Sequence, residues 1–294
     1  MSVLRTRGER LFDAVNITVL CLVSAVVLIP FWLLLVDSFS TPESVYLREF
    51  RAQFLPVAWS ITAYETVLQK SAIGTAYANT LFRTIVGTLL NTLVTIAAAY
   101  AISKRRLPFI RAFTFLVVFT LFFNGGLIPR FLLVRSVGLL DSRWALIWPV
   151  LVQAYTLLIA RNFMFSIPDS LEESAYIDGA NEITILWRII LPLSKPIIAT
   201  VALWGAVMHW NAWFDALIYV TDHTKIVLQL LLRRVLLEAQ IMSMTDVDLE
   251  TDTAVTEETV KAALIFISIG PIVILYPFAQ KYFIRGVLIG SVKG

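Results

Sequence analysis

The sequence has few charged residues and almost no cysteine or histidine. Only 15% of its 294 residues are charged, whereas 58% are hydrophobic, a balance far outside that of soluble globular proteins. The single cysteine, Cys21, excludes an internal disulfide. The two histidines, His209 and His223, are too few and too isolated to predict a metal site. The net charge of +3 comes from scattered basic residues, and we expect no nucleic-acid partner.

Long apolar runs dominate what is present. Six of them are long enough to cross a hydrocarbon layer of about 30 Å. We therefore predict an all-α integral membrane protein with six transmembrane helices, in which residues 14–285 form the membrane domain and residues 1–13 and 286–294 are tails. The predicted spans cover residues 14–36, 79–102, 112–123, 144–165, 196–220 and 259–283. The third continues unevenly towards residue 127, where Asn124-Gly125-Gly126 and Pro129 are expected to break it.

Basic residues in the connections between spans favour one orientation. The short connection 103–111 carries Lys104, Arg105, Arg106 and Arg111 and no acidic residue, which places it in the cytoplasm by the positive-inside rule. Both termini and the polar island between spans four and five then lie on the cytoplasmic side of the cell membrane. The loop 221–258, which is acidic in its second half, lies outside.

The polar island, residues 169–192, predicts two short helices joined by a tight turn. Ser170 and Glu173 have the spacing of a capping box, so we expect a helix over residues 171–178. Gly179 supplies the left-handed residue that ends this helix. Asn181 can cap a second helix, which Pro192 is expected to end. The prediction is a rigid knob outside the bilayer, which we call the coupling knob.

The coupling knob resembles the EAA motif of ABC importer permeases. The motif reads Glu173-Ser174-Ala175, then Gly179, then Ile189-Ile190-Leu191-Pro192, with Ser174 in place of the usual alanine. The resemblance implies a type I importer fold in which the knob docks on a separate ATPase subunit. The residues implied in that contact are Glu172, Glu173, Ala175, Asp178, Gly179, Ala180, Leu191 and Pro192.

Other segments resemble permeases of maltose-type carbohydrate importers, and the likeness covers nearly the whole chain. They are 124–129, 139–146, 210–215 and 286–294, and within this group the sequence looks closest to the branch for alginate and aldouronate oligosaccharides. The resemblance implies a second permease chain, an ATPase dimer that binds ATP and Mg²⁺, and an extracytoplasmic sugar-binding protein. Gln229 and Arg233, on a predicted helix 228–237, would contact that binding protein, unless this helix only lies on the membrane. The tail 286–294 would reach the ATPase, unless it is simply a frayed terminus.

Polar residues inside apolar spans mark a candidate sugar path, because such groups are costly in lipid. They mix aromatic rings with hydrogen-bonding groups, as sugars require, and helix packing is the alternative role for each. These candidates are Asn124, His209, Trp210, Asn211, Trp213, Asp215 and Tyr219.

No Walker A, H-E-x-x-H or G-x-S-x-G motif is present, so we expect neither an enzyme nor a chain with its own cofactor. The predicted function is the permease subunit of an ATP-driven importer that moves an oligosaccharide inward by alternating access, with acidic, alginate-like oligosaccharides among the candidates. An ABC importer for a non-sugar solute is the first alternative. An ion-coupled secondary transporter is the second, but the inverted repeats and paired midplane carboxylates typical of such proteins are not visible.

Overall fold

The structure is a computed structural model that describes residues 7–41, 44–45, 54–56, 58–104, 107–244 and 256–291. In these residues the secondary structure is helical apart from one isolated β-bridge between Ser40 and Trp59. The principal helices are α1 (Arg7–Ser38), α2 (Thr62–Gln69), α3 (Ser71–Ser103), α4 (Ile110–Phe122), α5 (Leu127–Ser136), α6 (Ala154–Phe165), α7 (Asp169–Ile177), α8 (Glu182–Leu193), α9 (Lys195–Asn211), α10 (Phe214–Tyr219), α11 (Leu228–Met244) and α12 (Glu257–Ser291). Short 3₁₀ turns lie at Arg143–Leu146, Trp148–Val150 and His223–Lys225.

The chain divides into two compact units. The first contains residues 1–70 and 235–269. Within it, the Tyr64 hydroxyl donates a hydrogen bond to Ser38 Oγ at 2.8 Å, and the Phe39 ring lies 4.9 Å from the Tyr64 ring. These contacts fix α2 against the end of α1.

The second unit contains residues 71–234 and 270–294, and α3 is its central helix. Helices α6 and α9 both pack on α3. Their shared core includes Ala99, Ala160 and Val201, which are fully buried. Small side chains at these contacts let the helix backbones approach closely, as is usual between transmembrane helices.

The predicted spans meet the observed helices unevenly. Helices α1 and α3 are each long and apolar enough to cross a membrane without a break. Predicted span three corresponds to α4, which meets α5 at 118° across the expected break. Predicted span four is a bent pair, because the 3₁₀ turns meet α6 at 50°. Helix α8 of the coupling knob meets α9, the first part of span five, at 79°. The described residues thus supply two unbroken candidate spans, or five if each bent pair crosses once, and the count of six stays a prediction.

Three predicted boundaries are wrong. Span five was expected to run unbroken over 196–220, but its helix stops at Asn211 and resumes at Phe214. The helix expected over 228–237 continues to Met244. The last helix does not end near residue 283, since its backbone is helical to Ser291, and residues 292–294 lie outside the described part of the chain.

Candidate functional site

The first helix of the coupling knob, α7, begins two residues before its predicted start. Asp169 is its first residue and Pro168 occupies the N-cap position, with no side-chain cap hydrogen bond. The predicted capping box of Ser170 and Glu173 is therefore wrong. Pro168 explains the shift, because its φ of −60° already suits the entry to a helix and leaves Ser170 inside the first turn. The Ser170 carbonyl accepts a hydrogen bond from the Ser174 hydroxyl at 2.9 Å.

The turn of the knob has the predicted left-handed glycine. Gly179 has a φ of +80°, and its N–H donates to the Tyr176 carbonyl at 3.0 Å. The Ala180 N–H donates to the Ala175 carbonyl at 2.9 Å. These two bonds form a Schellman motif, which satisfies carbonyls that the end of a helix would otherwise leave unpaired. The predicted Asn181 cap is confirmed, because its Oδ1 accepts the Thr184 N–H at 2.8 Å.

Helix α8 does not end at Pro192, which corrects a further prediction. A π-helical segment, Leu186–Ile190, ends two residues before Pro192, and the helix continues to Leu193. A proline in a helix lacks an N–H and crowds the carbonyl four residues earlier, and the wider π turn accommodates both effects. The chain then turns at Ser194 and enters α9.

A charged and phenolic cluster fastens the knob to the end of α3. Lys104 forms an ion pair with Glu172 of α7 and a second with Glu182 of α8, the latter at 3.3 Å between Nζ and Oε2. Glu182 also accepts hydrogen bonds from the hydroxyls of Tyr100 and Tyr176. One lysine and one carboxylate thus connect three helices. A cavity of about 850 Å³ adjoins this cluster.

The pKa values in the knob show how firmly the cluster holds its charges. The hydrogen bond to Glu182, aided by partial burial, raises the pKa of Tyr176 to about 12. Burial raises the pKa of Glu182, but the two tyrosine hydrogen bonds and the Lys104 charge outweigh it, so the pKa lies below its ordinary value. At neutral pH the tyrosine is therefore a donor and Glu182 a carboxylate.

The outer surface of the knob is apolar. Ile177, Ile183 and Trp187 are 87%, 68% and 64% exposed. The polar candidates Glu173 and Asp178 are also exposed. Exposed apolar groups of this size, rimmed by charges, are typical of a surface that another protein covers.

The small residues of the motif lie on the inner side. Ala175 was expected to offer an apolar contact to a partner, but it is 8% exposed and belongs to the core of the second unit. Ala180 and Leu191 are partly buried against the same core. These three residues pack the knob against this core. A larger side chain at Ala175 would push α7 away from the spans that it contacts.

The candidate path residues of span five do not form one open surface. Trp210 is 4% exposed, with its ring edge-on to Tyr77, and Tyr219 is buried with its ring stacked on Phe131. His209 is fully buried. Asn211 is exposed, but its amide donates to the Val207 carbonyl at 2.9 Å.

The remaining candidates of span five gather at its break. Trp213 lies at the break, and the Arg233 guanidinium stands 3.8 Å from its ring centroid. Asp215 forms an ion pair with Arg83 of α3. Gln229 is half-buried on the first turn of α11, whereas Arg233 is exposed. The structure thus brings Trp213 and Arg233 together.

Asn124 lies in a separate groove at the bend between α4 and α5. Its Oδ1 accepts the Gly126 N–H at 2.9 Å, which orients the amide at the turn. The groove has a volume of about 350 Å³, and its lining includes Thr120, Phe123 and Arg130. An aromatic ring, an amide and a guanidinium are thus close together on an open surface.

Comparison with known proteins shows the family. A permease protein of the Bacillus subtilis (strain 168) polygalacturonan/rhamnogalacturonan transport system, YtcP, is 39% identical over 286 residues, which are 97% of this chain and 99% of the relative. Protein LplC of the same organism is 40% identical over 289 residues, 98% and 97% of the two chains. No family model matches the sequence. The chain belongs to the sugar permeases of ABC importers.

Solved structures agree with this assignment. One chain of a bacterial ABC transporter involved in the import of the acidic polysaccharide alginate is 34% identical to the permease, with a TM-score of 0.85 over 96% of this chain and 100% of that one. A bacterial alginate ABC transporter in complex with an alginate pentasaccharide-bound periplasmic protein matches at 16% identity and a TM-score of 0.54, which shows the fold alone. The permease is therefore a multi-pass membrane protein, and ATP hydrolysis belongs to another subunit of such importers.

The buried face of α3 carries polar residues that the sequence reasoning did not single out. Asn79 donates to the Thr224 and Ile226 carbonyls at 2.8 and 3.0 Å, and Thr80 Oγ1 accepts the Leu228 N–H at 2.8 Å. Asn91 donates to the Leu151 carbonyl at 2.7 Å. The signal was present in the sequence, because these residues recur at helical spacing within an otherwise apolar span.

Proposed function

We propose that the permease is one half of a heterodimeric channel that moves an acidic oligosaccharide inward by alternating access. The single observation that carries this proposal is its full-length similarity to transporters of acidic polymers. YtcP is named for polygalacturonan and rhamnogalacturonan, and the structure at 34% identity belongs to an alginate importer. These polymers share uronic acid units, so a carboxylate on the sugar is the common chemical feature.

The groove between α4 and α5 supports an acidic substrate. Arg130 lines it and supplies a permanent positive charge that can bind a sugar carboxylate. Asn124 can hydrogen-bond sugar hydroxyls, and Phe123 offers an aromatic face. The groove is open, as a path needs, because a transported sugar must leave as well as bind. Asn211 and Trp213, with their exposed or half-buried side chains, stay candidates for the same path, while Trp210, Asp215 and Tyr219 contribute to its walls.

The coupling knob supports docking on an ATPase subunit that binds ATP and Mg²⁺. Ile177, Ile183 and Trp187 form an apolar outer surface, and the Lys104 cluster fastens the knob to α3. A rigid knob can pass the closure of an ATPase dimer to the spans only if it does not slip against them. Glu172, which pairs with Lys104, serves this fastening, whereas Glu173 and Asp178 can meet basic residues of the ATPase.

The remaining topology follows from the positive-inside pattern. We propose six spans in the cell membrane, with both termini and the knob in the cytoplasm. Helix α11 then lies outside, where Gln229 and Arg233 can contact a sugar-loaded binding protein. A distant transporter of the same fold is found in complex with such a protein. The end of α12 reaches toward the ATPase in this arrangement.

An uptake assay with Arg130→Gln tests the proposed substrate. The importer is purified with its native partners, placed in liposomes, and supplied with acidic or neutral oligosaccharides of equal length. We expect the KM for the acidic sugar to rise about fivefold, the effect of ~1 kcal/mol at an exposed charge, with neutral sugars unaffected. Arg135→Gln, an exposed arginine on the same helix outside the groove, is the matched control. Uptake of neutral sugars only, or an equal effect of both variants, would contradict the proposal.

A further inference from the structure

Arg83 is a buried cation in the middle of a predicted span. It lies on α3, its side chain is 2% exposed, and its neighbours along the helix are mostly apolar. A charge at such a position is costly unless its hydrogen-bonding groups have partners. The nature of these partners therefore indicates what the residue does.

All the partners of Arg83 lie at the break of span five, between α9 and α10. The guanidinium pairs with both carboxylate oxygens of Asp215, Nη1 at 3.0 Å from Oδ1. The same Nη1 donates to the Ala212 carbonyl at 3.2 Å. Asp215 Oδ1 also accepts the Ala216 N–H at 2.9 Å, an early amide of α10. One arginine thus binds a carbonyl of the break, that of Ala212, and the carboxylate inside the first turn of α10.

Nothing local in the sequence explains why span five breaks here. Ala212 is extended, with φ −76° and ψ 129°, and Trp213 has φ −131°. The residues between Asn211 and Phe214 include neither glycine nor proline, the usual causes of a helix break. We infer that Arg83 is a positioning residue, which holds span five broken at Ala212 and Trp213 and so fixes the base of α11.

The second half of this inference follows from what rests on the break. The Arg233 guanidinium of α11 stands 3.8 Å from the centroid of the Trp213 ring. Ala216 of α10 and Leu230 of α11 share one buried cluster, and Trp213 packs against it. Without the hydrogen bonds of Arg83, residues 212–219 would loosen, Trp213 would move away, and α11 would lose this support. That α11 receives a binding protein rests on the proposed function above.

Hydrogen exchange tests the positioning directly. The variant is Arg83→Met/Asp215→Leu in the intact importer, because removing both charges leaves no unpaired ion in the membrane. We expect the amides of residues 212–219 to exchange at least about tenfold faster, with α6 unchanged. Arg135→Met/Glu65→Leu, which removes one exposed residue of each charge away from the coupling knob, is the control. Unchanged exchange at 212–219 in the Arg83 variant would overturn the inference.

ATPase stimulation tests the consequence for α11. We expect the same variant to lose most of the stimulation by sugar-loaded binding protein while basal hydrolysis persists. Arg83→Lys, which keeps the charge and a hydrogen-bond donor group, should recover part of the stimulation. Full stimulation in the double variant would overturn the role at α11. If the wild-type importer shows no stimulation, the proposed function fails, and the exchange result alone decides whether Arg83 holds the break.

Discussion

The coupling knob and the break of span five place apolar and charged side chains in opposite ways. The knob exposes its apolar side chains and uses charges, in the Lys104 cluster, to hold itself in place from one side. The break exposes little and buries its charges, in the Arg83–Asp215 pair, between two helices. An apolar group outside and a charge inside both reverse the usual pattern of a protein surface and core.

The two regions are stabilised by different kinds of interaction, local in the knob and long-range at the break. The knob is built from local signals, a left-handed Gly179 and an Asn181 cap, and needs a partner only to cover its apolar surface. The break has no local signal and exists because a residue 129 positions away along the chain donates to Ala212. Substitutions should therefore act on partner binding at the knob and on the fold of the permease at the break.

The largest effect is expected when only one partner of the Arg83–Asp215 pair is removed. Arg83→Met leaves the Asp215 carboxylate without its cation, which typically costs about 3–5 kcal/mol. We expect little assembled importer in detergent, and recovery of the yield when Asp215→Leu is added. A single variant as stable as wild type in a melting experiment would show that the pair is not a stabilising element.

Gly87, which lies on α3 as Arg83 does, tests the packing of α3 against His209 of α9. A Cβ at Gly87 would stand 2.6 Å from His209 Nε2, and the buried imidazole would have to move. We expect Gly87→Ala to lower stability by about 1–3 kcal/mol, as overpacking does. Gly74→Ala, on α3 with open space around it, is the control and should have no such cost.

The local signals of the knob predict a smaller effect. Gly179 has open space around it, so Gly179→Ala adds only the strain of a left-handed alanine, about 1 kcal/mol. Gly179→Asn should be milder, because asparagine tolerates this conformation. We expect a tagged wild-type permease to retain the most ATPase subunit, the Gly179→Asn variant less, and the Gly179→Ala variant the least. If all three permeases retain the same amount of ATPase subunit, the turn at residue 179 does not affect docking.

The smallest expected effect concerns pH at the Lys104 cluster. The pKa of Glu182 is below its ordinary value in the folded chain, so its contribution is complete above about pH 4.5 and falls only as the pH drops through the lowered pKa. The Tyr176 hydroxyl keeps its proton up to about pH 12. Coupling should therefore be flat between pH 6 and 9, and Lys104→Met should lower it slightly without making it pH-dependent. A steep change in that range would show that another group controls the knob.

Sequence reasoning anticipated the knob better than the spans for a physical reason. Gly179 and Asn181 act on their own backbone, so their effect is visible within a few residues. The early start of α7 and the passage of α8 through Pro192 depend on a neighbouring proline and a π turn, which spacing alone did not indicate. The break of span five depends on Arg83, and a lone arginine in an apolar run reveals its partner only when the helices are packed.

The proposed role of the coupling knob is to transmit ATP-driven motion through its apolar surface. The most direct measurement is ATPase activity of the reconstituted importer, with and without sugar-loaded binding protein, for Ile183→Ser/Trp187→Ala. The control is Ile128→Ser/Leu132→Ala, an exposed pair with the same spacing on α5. We predict an unchanged melting temperature of the permease with stimulation lost only in the knob variant. Full stimulation of the knob variant would show that its apolar surface does not transmit the motion.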